Sequence, residues 1–488
     1  MDKKNRDKKN NDIIITSIGG QSEHVTGSMT LVEYKKEDNT RGCILLEMGG
    51  IQLNSSILEE YNANKKLLES LPIEKIDYVF VCHSHQDHEM HLPYLETKNS
   101  KAKIIMTKEN LNITRQLLPD STFIHSKNIE YLRNKGHKVS PFYTDRECNK
   151  VFDRIQTYEE DKIYKLEENV SFRFRSNSHT VGATQLELFI KKNSGQKKKI
   201  VYTSDLGSTI NKDFQYFLED NYQITKADLL LIESTYGANG RSFTKKECIK
   251  EREELEQIIN DYVLKNKNNC LIPCFSYGRL QNMMCMIYEK FKDSWNMDIP
   301  IVIDTALGND INLAYDRILK GEALEYWLKV KGWKAFKYIR DYKGTIAFLS
   351  KKQNALVLSS SGMINGGHSL IYAKQFLGHS NDIICFCGYC APNTIGGKIL
   401  DDNKKTILIE KETLLKKCTI KKFKTFSSHA QQEDLINYIL NINCNKIILH
   451  HGDEVAKNDL KEKLIGKLSK KGKTAKIECS YRNMKIKL

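Results

Sequence analysis

Apolar residues fall first into short alternating runs. Residues 13–18 and 30–34 read as strands flanking Gly19-Gly20 and Gly27, and Cys43-Ile44-Leu45-Leu46 as a third that ends in Glu47 and Gly49-Gly50. Strands joined by tight Gly turns predict a sheet that starts from hairpins. A helical stretch over 58–70 leads into 78–82, which is β-branched and aromatic enough for a buried strand. A strand over 102–106 precedes a helix over 109–118. From 128 to 168 no period dominates, and the segment reads as helix and loop. Strands return at 172–174, 186–190, 200–203 and 229–232.

The pattern then changes period. Residues 244–265 form a long amphipathic helix, followed by strand 271–272, helix 279–291, strand 301–303 and further helices to about residue 329. Strand and helix alternating over this length predict a separate parallel α/β unit, continuing through strand 355–358, the Gly-rich turn Ser359-Ser360-Ser361-Gly362-Met363 and a strand near Cys385. Near the end come helix 432–440, strand 446–449, a basic helix and a short last strand. No internal repeat or low-complexity linker is visible.

Composition narrows the class. A chain of 488 residues suggests two or three domains, or one large fold with an insertion. With 40% hydrophobic residues a sizeable core is expected and global disorder is excluded. The formal charge of +15 is weak support for a polyanionic partner, because a solvated Lys-rich surface is the commoner cause. Thirteen scattered cysteines argue for reduced thiols in a cytoplasmic protein. Cys385, Cys387 and Cys390 form the one cluster, but Ile383-Ile384-Cys385-Phe386-Cys387 alternates as on a strand, so core packing is the better reading. Residues 1–12 read as a basic disordered tail, and neither a signal peptide nor a membrane span can be built from the apolar run after it.

Chemistry concentrates in His83-Ser84-His85-Gln86-Asp87-His88, three imidazoles and a carboxylate just past a predicted strand. Imidazole and carboxylate suit zinc and similar divalent ions, and four such groups exceed what one tetrahedral ion takes from one loop. Strand ends also carry His179, Asp205 and His451. Alone, His179 or His451 is more often a hydrogen-bonded core histidine; their joint placement with the loop supplies enough ligands for two ions. Two neighbouring divalent ions serve hydrolysis at phosphorus or carbonyl.

The loop matches the H-x-H-x-D-H signature of the metallo-β-lactamase fold, with His179, Asp205 and His451 in the order of its later ligands. The chain further resembles the β-CASP nucleases. Glu23-His24-Val25-Thr26-Gly27-Ser28, Ile232-Glu233-Ser234-Thr235-Tyr236-Gly237, Ile272-Pro273-Cys274-Phe275-Ser276-Tyr277-Gly278-Arg279, Ser360-Ser361-Gly362-Met363 with Gly366-Gly367, Gly388-Tyr389 and Ser428-His429-Ala430 are similar to its ordered motifs. The resemblance implies a four-layer αββα metallo-β-lactamase fold, α/β in class, over 13–237 and 398–488, with a parallel α/β β-CASP domain inserted at 238–397. It implies two Zn2+: His83, His85 and His179 on one, Asp87, His88 and His451 on the other, Asp205 bridging. Asp87 then accepts a proton from water, His429 faces the scissile phosphate and gives one to the leaving oxygen, and Glu233 orients His429.

A histidine at position 429 tilts the implied substrate towards single-stranded RNA, and a homodimer is the family's habit. Arg279, Ser361 and Gly362 suit phosphate contacts; Arg279 could equally start a helix. Glu233 could merely cap a turn, and Ser427-Ser428 could cap a helix begun by His429. Two positions depart from the family pattern: Glu47 where Asp is usual, and Lys398, a further substrate contact able to neutralise phosphate charge, where many members carry a histidine. Neither an N-terminal RNA-binding domain nor the long C-terminal domain of ribonuclease J is expected, so a 5′-exonuclease role is not favoured by the resemblance. A hydrolase of a small ester or thioester, or a catalytically weak RNA-binding scaffold, remain as alternatives.

Overall fold

The alternation at the start of the chain becomes the two faces of one sheet. In strand Arg41–Leu46, Ile44 and Leu46 enter a core with Ile13, Ile15, Val32 and Phe80, whereas Cys43 and Leu45 enter another with Leu31, Val79, Leu67 and Leu68. The computed structural model describes residues 13–488 except Ser22 and Asn54, so the tail expected over 1–12 lies outside the described residues.

Among these, the chain divides into two compact units. The first holds the described residues of Met1–Thr209 with Leu218–Ser242 and His429–Leu488; the second holds Ile210–Phe217 and Phe243–Ser428.

In the first unit one seven-stranded sheet runs Lys485–Lys487, Ile13–Gln21, His24–Lys35, Arg41–Leu46, Tyr78–Phe80, Lys103–Met106, Ile155–Thr157. Its early strands pair antiparallel, as the Gly turns predict, and those after Arg41–Leu46 pair parallel. The other runs Lys476–Cys479, Lys446–His450, Leu229–Glu233, Lys197–Tyr202, Thr184–Lys191, Val170–Ser176, Tyr164–Glu167. Inner faces of both sheets share one core, where Phe80 meets Phe172 edge-on with centroids 4.9 Å apart. Helices Ile57–Glu69 and Lys108–Asn134 bury Leu67, Leu68 and Leu118 on the outside of the first sheet. Helices Gln432–Asn441 and Glu454–Lys470 bury Leu435, Ile439, Leu460 and Leu464 against Leu230, Ile232, Ile447 and Leu449 of the second. The four layers are αββα.

The second unit is a parallel six-stranded sheet in the order Phe336–Ile339, Ile301–Asp304, Leu356–Ser359, Cys270–Pro273, Ile383–Phe386, Thr419–Lys422. It runs past residue 397, where the sequence reading ends the insertion. The cause is pairing of Thr419–Lys422 with Ile383–Phe386 and burial of Ile407 and Ile409, from hairpin Thr406–Ile409 and Glu412–Leu415, in this unit's core.

Other differences have equally local causes. The helix read as 109–118 extends over Lys108–Asn134 through Pro119, because ten buried residues line its inner face. The ambiguous 128–168 segment is the end of that helix, helix Asp145–Val151 and strands Ile155–Thr157 and Tyr164–Glu167. The 244–265 helix starts at a Thr244/Glu247 capping box and is α-helical over Lys245–Ile258, then widens to a π-helix over Ile259–Lys265. Among the described residues no helix is long and apolar enough to cross a membrane.

Candidate metal centre

Strand ends in the first unit deliver every predicted ligand. His83 and His85 follow strand Tyr78–Phe80, Asp87 and His88 lie on the short helix Gln86–Glu89, and His179 lies between strands Val170–Ser176 and Thr184–Lys191. Asp205 follows Lys197–Tyr202, and His451 follows Lys446–His450. Two glycines let these loops close. A Cβ on Gly49 would stand 1.6 Å from the Asp87 carbonyl oxygen, and one on Gly207 2.0 Å from the Ser178 carbonyl carbon.

The donor atoms form two groups that share Asp205. In one, His85 Nδ1 lies 3.2 Å from His83 Nε2 and 3.3 Å from His179 Nε2, and Asp205 Oδ2 lies 3.5 and 3.8 Å from those two Nε2 atoms. In the other, His451 Nε2 is 3.3 Å from Asp205 Oδ1 and 3.7 Å from Asp87 Oδ2, and His88 Nε2 is 3.5 and 3.8 Å from Asp205 Oδ2 and Asp87 Oδ2. Zinc bonds of about 2.0–2.1 Å arranged tetrahedrally put ligand atoms roughly 3.3–3.4 Å apart, so both groups have the edges of a coordination shell. Both ring nitrogens of His88, Nδ1 of His179 and Oδ1 of Asp205 are buried without a hydrogen bond, a cost that a bound cation offsets for the atoms facing it. The residues fit a pair of divalent ions.

Electrostatics divide the site: the imidazoles of the first group are held neutral, whereas burial opposes charge on His88 of the second but Asp205 and Asp87 outweigh it and raise that ring well above the ordinary imidazole range. Burial, aided by neighbouring His88 and His429 respectively, holds His83 and His179 well below the ordinary imidazole range, and burial brings His85 down to about 4. Burial opposes charge on Asp205, but His451 and His88 outweigh it and keep that carboxyl well below the usual range. Neutral imidazoles and an ionised carboxylate are the forms that bind metal.

Partners that the local sequence does not reveal orient the ligands. Ser28 Oγ lies 2.8 Å from His451 Nδ1, and Ser204 Oγ 3.1 Å from His83 Nδ1. Glu47, fully buried, accepts from Ser204 Oγ at 2.9 Å and from Cys82 N–H with both oxygens at 3.2 Å, and stands 3.5 Å from His88 Nδ1. Its extra methylene therefore reaches three supports of the metal loop at once. Burial raises the Glu47 carboxyl, with His88 and Ser204 pulling against it. Glu47, Ser204 and His451 all adopt left-handed backbone, with φ of 61°, 51° and 48°. Such conformations cost on the order of 1 kcal/mol or more and gather at functional sites.

His429 and Glu233 complete the site. Glu233 accepts from Leu206 N–H at 2.8 Å and Thr235 N–H at 3.0 Å, so it does hold a turn, and its Oε1 also lies 3.2 Å from His429 Nδ1. His429 pairs with Gly207 backbone to backbone, while the helix expected to be capped by Ser427-Ser428 begins later, with Gln431 as its cap. Burial disfavours charge on His429, but Glu233 overcomes it and raises the imidazole to about 9. Asp87 and His429 are 16% and 22% exposed and the ligand His85 is also partly exposed, where His83 and His88 are wholly enclosed. Groups that trade protons with solvent or substrate need that access.

The predicted substrate contacts belong to the second unit. Arg279 begins helix Arg279–Phe291, with its Nη1 beside Gly388. Gly362 packs against Phe275 and Ser361 receives the Ser369 hydroxyl at 2.8 Å, so all three cluster past the carboxyl ends of neighbouring strands. Lys398 sits on helix Ile395–Leu400, which touches Met363 through Gly396 N–H at 2.9 Å.

An αββα sandwich with paired His/Asp groups at its strand ends defines a metallo-hydrolase of the metallo-β-lactamase fold. Within that class the chain is similar to the β-CASP nucleases. A Beta-Casp domain model matches residues 280–399, and a Zn-dependent metallo-hydrolase RNA specificity domain model matches 414–479. The chain is 25% identical over 440 residues to Integrator complex subunit 11 of Danio rerio, covering 88% of this chain and 69% of that protein. It is 25% identical over 395 residues to an RNase J-like protein of Methanocaldococcus jannaschii, covering 78% and 82%. The fold matches a crystal structure of a protein of unknown function from Enterococcus faecalis V583 with a TM-score of 0.53 at 15% identity, covering 98% of this chain and all of that one.

Proposed function

We propose that the chain is a two-zinc ribonuclease that hydrolyses phosphodiester bonds of single-stranded RNA. The observation that carries this is the joining of a paired donor set to a Glu233-held His429 in one site. His83, His85 and His179 would hold one ion, Asp87, His88 and His451 the other, with Asp205 shared. Bound divalent ions supply Lewis acidity towards phosphoryl oxygens. Asp87 accepts a proton from the attacking water as its oxygen bonds to phosphorus. His429 donates a proton to the departing 3′ oxygen as that P–O bond breaks, leaving a 5′ phosphate and a 3′ hydroxyl. Glu233 keeps the imidazole in place throughout.

RNA as substrate is supported by the RNA specificity model over 414–479 and by the RNase J-like relative. Arg279, Ser361, Gly362 and Lys398 are the proposed strand contacts. Thirteen free cysteines, twelve of them buried, suit a reducing compartment and a cytoplasmic setting, and a homodimer belongs to the same reading.

The test is cleavage of matched RNA and DNA strands labelled at either end by protein loaded with two equivalents of zinc. RNA should be cut and DNA spared, Asp87→Ala should abolish cutting, and His429→Ala should lower kcat by about 10²–10⁴-fold. Zinc-loaded protein that hydrolyses small esters and leaves RNA intact would overturn the reading.

A further inference from the structure

The second unit contains a polar cluster that the metal site does not use. Its place follows from strand order. Chain from Cys270–Pro273 crosses to Ile301–Asp304 on one side, whereas chain from the adjacent strand Leu356–Ser359 crosses to Ile383–Phe386 on the other. Connections that leave neighbouring parallel strands in opposite directions open a crevice at their carboxyl ends, where open α/β sheets bind ligands.

Three hydroxyls from three strand ends meet there. Ser360 Oγ donates to Thr305 Oγ1 at 2.9 Å, and Ser276 Oγ lies 3.3 Å from the same oxygen. Behind them is Asp304, wholly buried, which accepts from Thr345 Oγ1 at 2.8 Å and Tyr372 OH at 2.7 Å and binds Nδ1 of His368. Nδ1 is thus taken, which leaves Nε2 as the donor the ring can offer. Next to His368, Ser369 N–H bonds the Ser360 carbonyl at 2.8 Å and ties the ring's segment to the hydroxyl cluster. Ser276, Ser360 and His368 are half-buried and reachable, unlike Asp304. A fully buried carboxylate bonded to a half-buried imidazole favours the imidazolium.

We propose that this crevice is a phosphate subsite for the RNA strand, with His368 as its cationic contact and the Ser360 and Ser276 hydroxyls as neutral donors. The assignment rests on RNA being the substrate. The neighbouring ring favours a nucleotide over a bare anion: Phe275, next in sequence to Ser276, packs against Gly362 and Gly388 yet is 41% exposed, and an exposed aromatic ring is a surface on which a base stacks. A strand phosphodiester and a terminal 5′ phosphate share this chemistry.

The experiment measures binding of a fluorescent single-stranded RNA to chelator-treated full-length protein across a salt series, with RNA cleavage by the zinc-loaded protein in parallel. His368→Gln, which keeps a donor for Asp304, should weaken binding roughly tenfold, the value of one charged hydrogen bond. It should also lower the slope of log affinity against log salt by about 0.7, one phosphate contact on a single strand. His368→Lys should restore the slope, and Ser360→Ala should weaken binding with the slope unchanged. Equal losses on 5′-phosphorylated and 5′-hydroxyl strands assign a phosphodiester; a loss confined to the phosphorylated strand assigns the terminus.

Wild-type protein that cuts RNA while His368→Gln and Ser360→Ala bind it with unchanged affinity and slope would refute the subsite and spare the ribonuclease reading. Wild-type protein that leaves RNA uncut, but loses adenosine 5′-monophosphate binding on His368→Gln, would refute the ribonuclease reading and keep a phosphate site.

Discussion

Glu47 shows how one side chain can act on several members of a candidate metal centre at once. Its carboxylate holds the Cys82 N–H, the Ser204 hydroxyl that faces His83, and the space beside His88. Glu47→Asp draws that carboxylate back by a methylene and separates it from at least one support. Zinc affinity is expected to fall about 10–100-fold, as losses behind metal ligands typically do, measured by competition with a chromophoric chelator; unchanged affinity would remove Glu47 from this role. Gly207→Ala places a methyl group against the Ser178–His179 backbone and is expected to lower zinc occupancy. The candidate ligands were legible in the sequence, because each lies near the end of a recognisable strand and four share one loop. Ser28, Ser204 and the reach of Glu47 were not, since their partners lie far along the chain and only the fold joins them.

Helix Lys108–Asn134 gives the clearest case of packing overriding a local rule. A proline removes one helical hydrogen bond and ordinarily ends the helix, which is why the sequence suggests a stop at 118. Ile113, Leu117, Leu118, Ile129 and Leu132 are buried on one face, and each is worth roughly 1.5–3 kcal/mol when fully enclosed. That sum exceeds the proline's cost of about 3 kcal/mol. Pro119 itself is exposed, so Pro119→Ala should stabilise the protein by about 1–3 kcal/mol, seen as a higher unfolding midpoint in urea. Four-residue strands such as Phe336–Ile339 were illegible for a different reason: with only Phe336 and Ile339 buried, they carry too little pattern to tell from loop.

Helix Gly367–Phe376 presents His368 to Asp304, with Asp341 the other nearby charge and the Tyr372 hydroxyl also bonded to Asp304. The Asp304 hydrogen bond, opposed by burial, raises His368 above its ordinary value of 6.5. The protonated pair therefore stabilises the fold fully below pH 6.5, and this contribution is lost as pH rises through the raised value. Wild-type protein should lose more thermal stability between pH 6 and pH 9 than His368→Gln, checked by calorimetry at matched ionic strength.

At the scale of the whole molecule, binding of metal is also a term in stability. Ions that bind the folded site and not the unfolded chain add about 2.7 kcal/mol for each site at a hundredfold excess over Kd. Chelation is expected to lower the melting temperature of wild-type protein, and to leave a His83→Ala/His451→Ala double variant nearly unmoved. Charge belongs to this scale too: a net +15 is a prior for polyanions, but the sequence alone could not say which lysines meet a strand and which meet solvent.

Strand Lys446–His450 pairs with Leu229–Glu233, partners separated along the chain by the Phe243–Ser428 segment of the second unit. The ribosome makes those partners in order, with that segment between them. A nascent chain that has reached residue 400 already carries His83, His85, His179 and Asp205, but neither His429 nor His451. On the proposed reading it owns one complete metal group and no acid for the leaving oxygen. Competence to cut would then be among the last properties such a polypeptide acquires, and an incomplete translation product would be at most a metal binder.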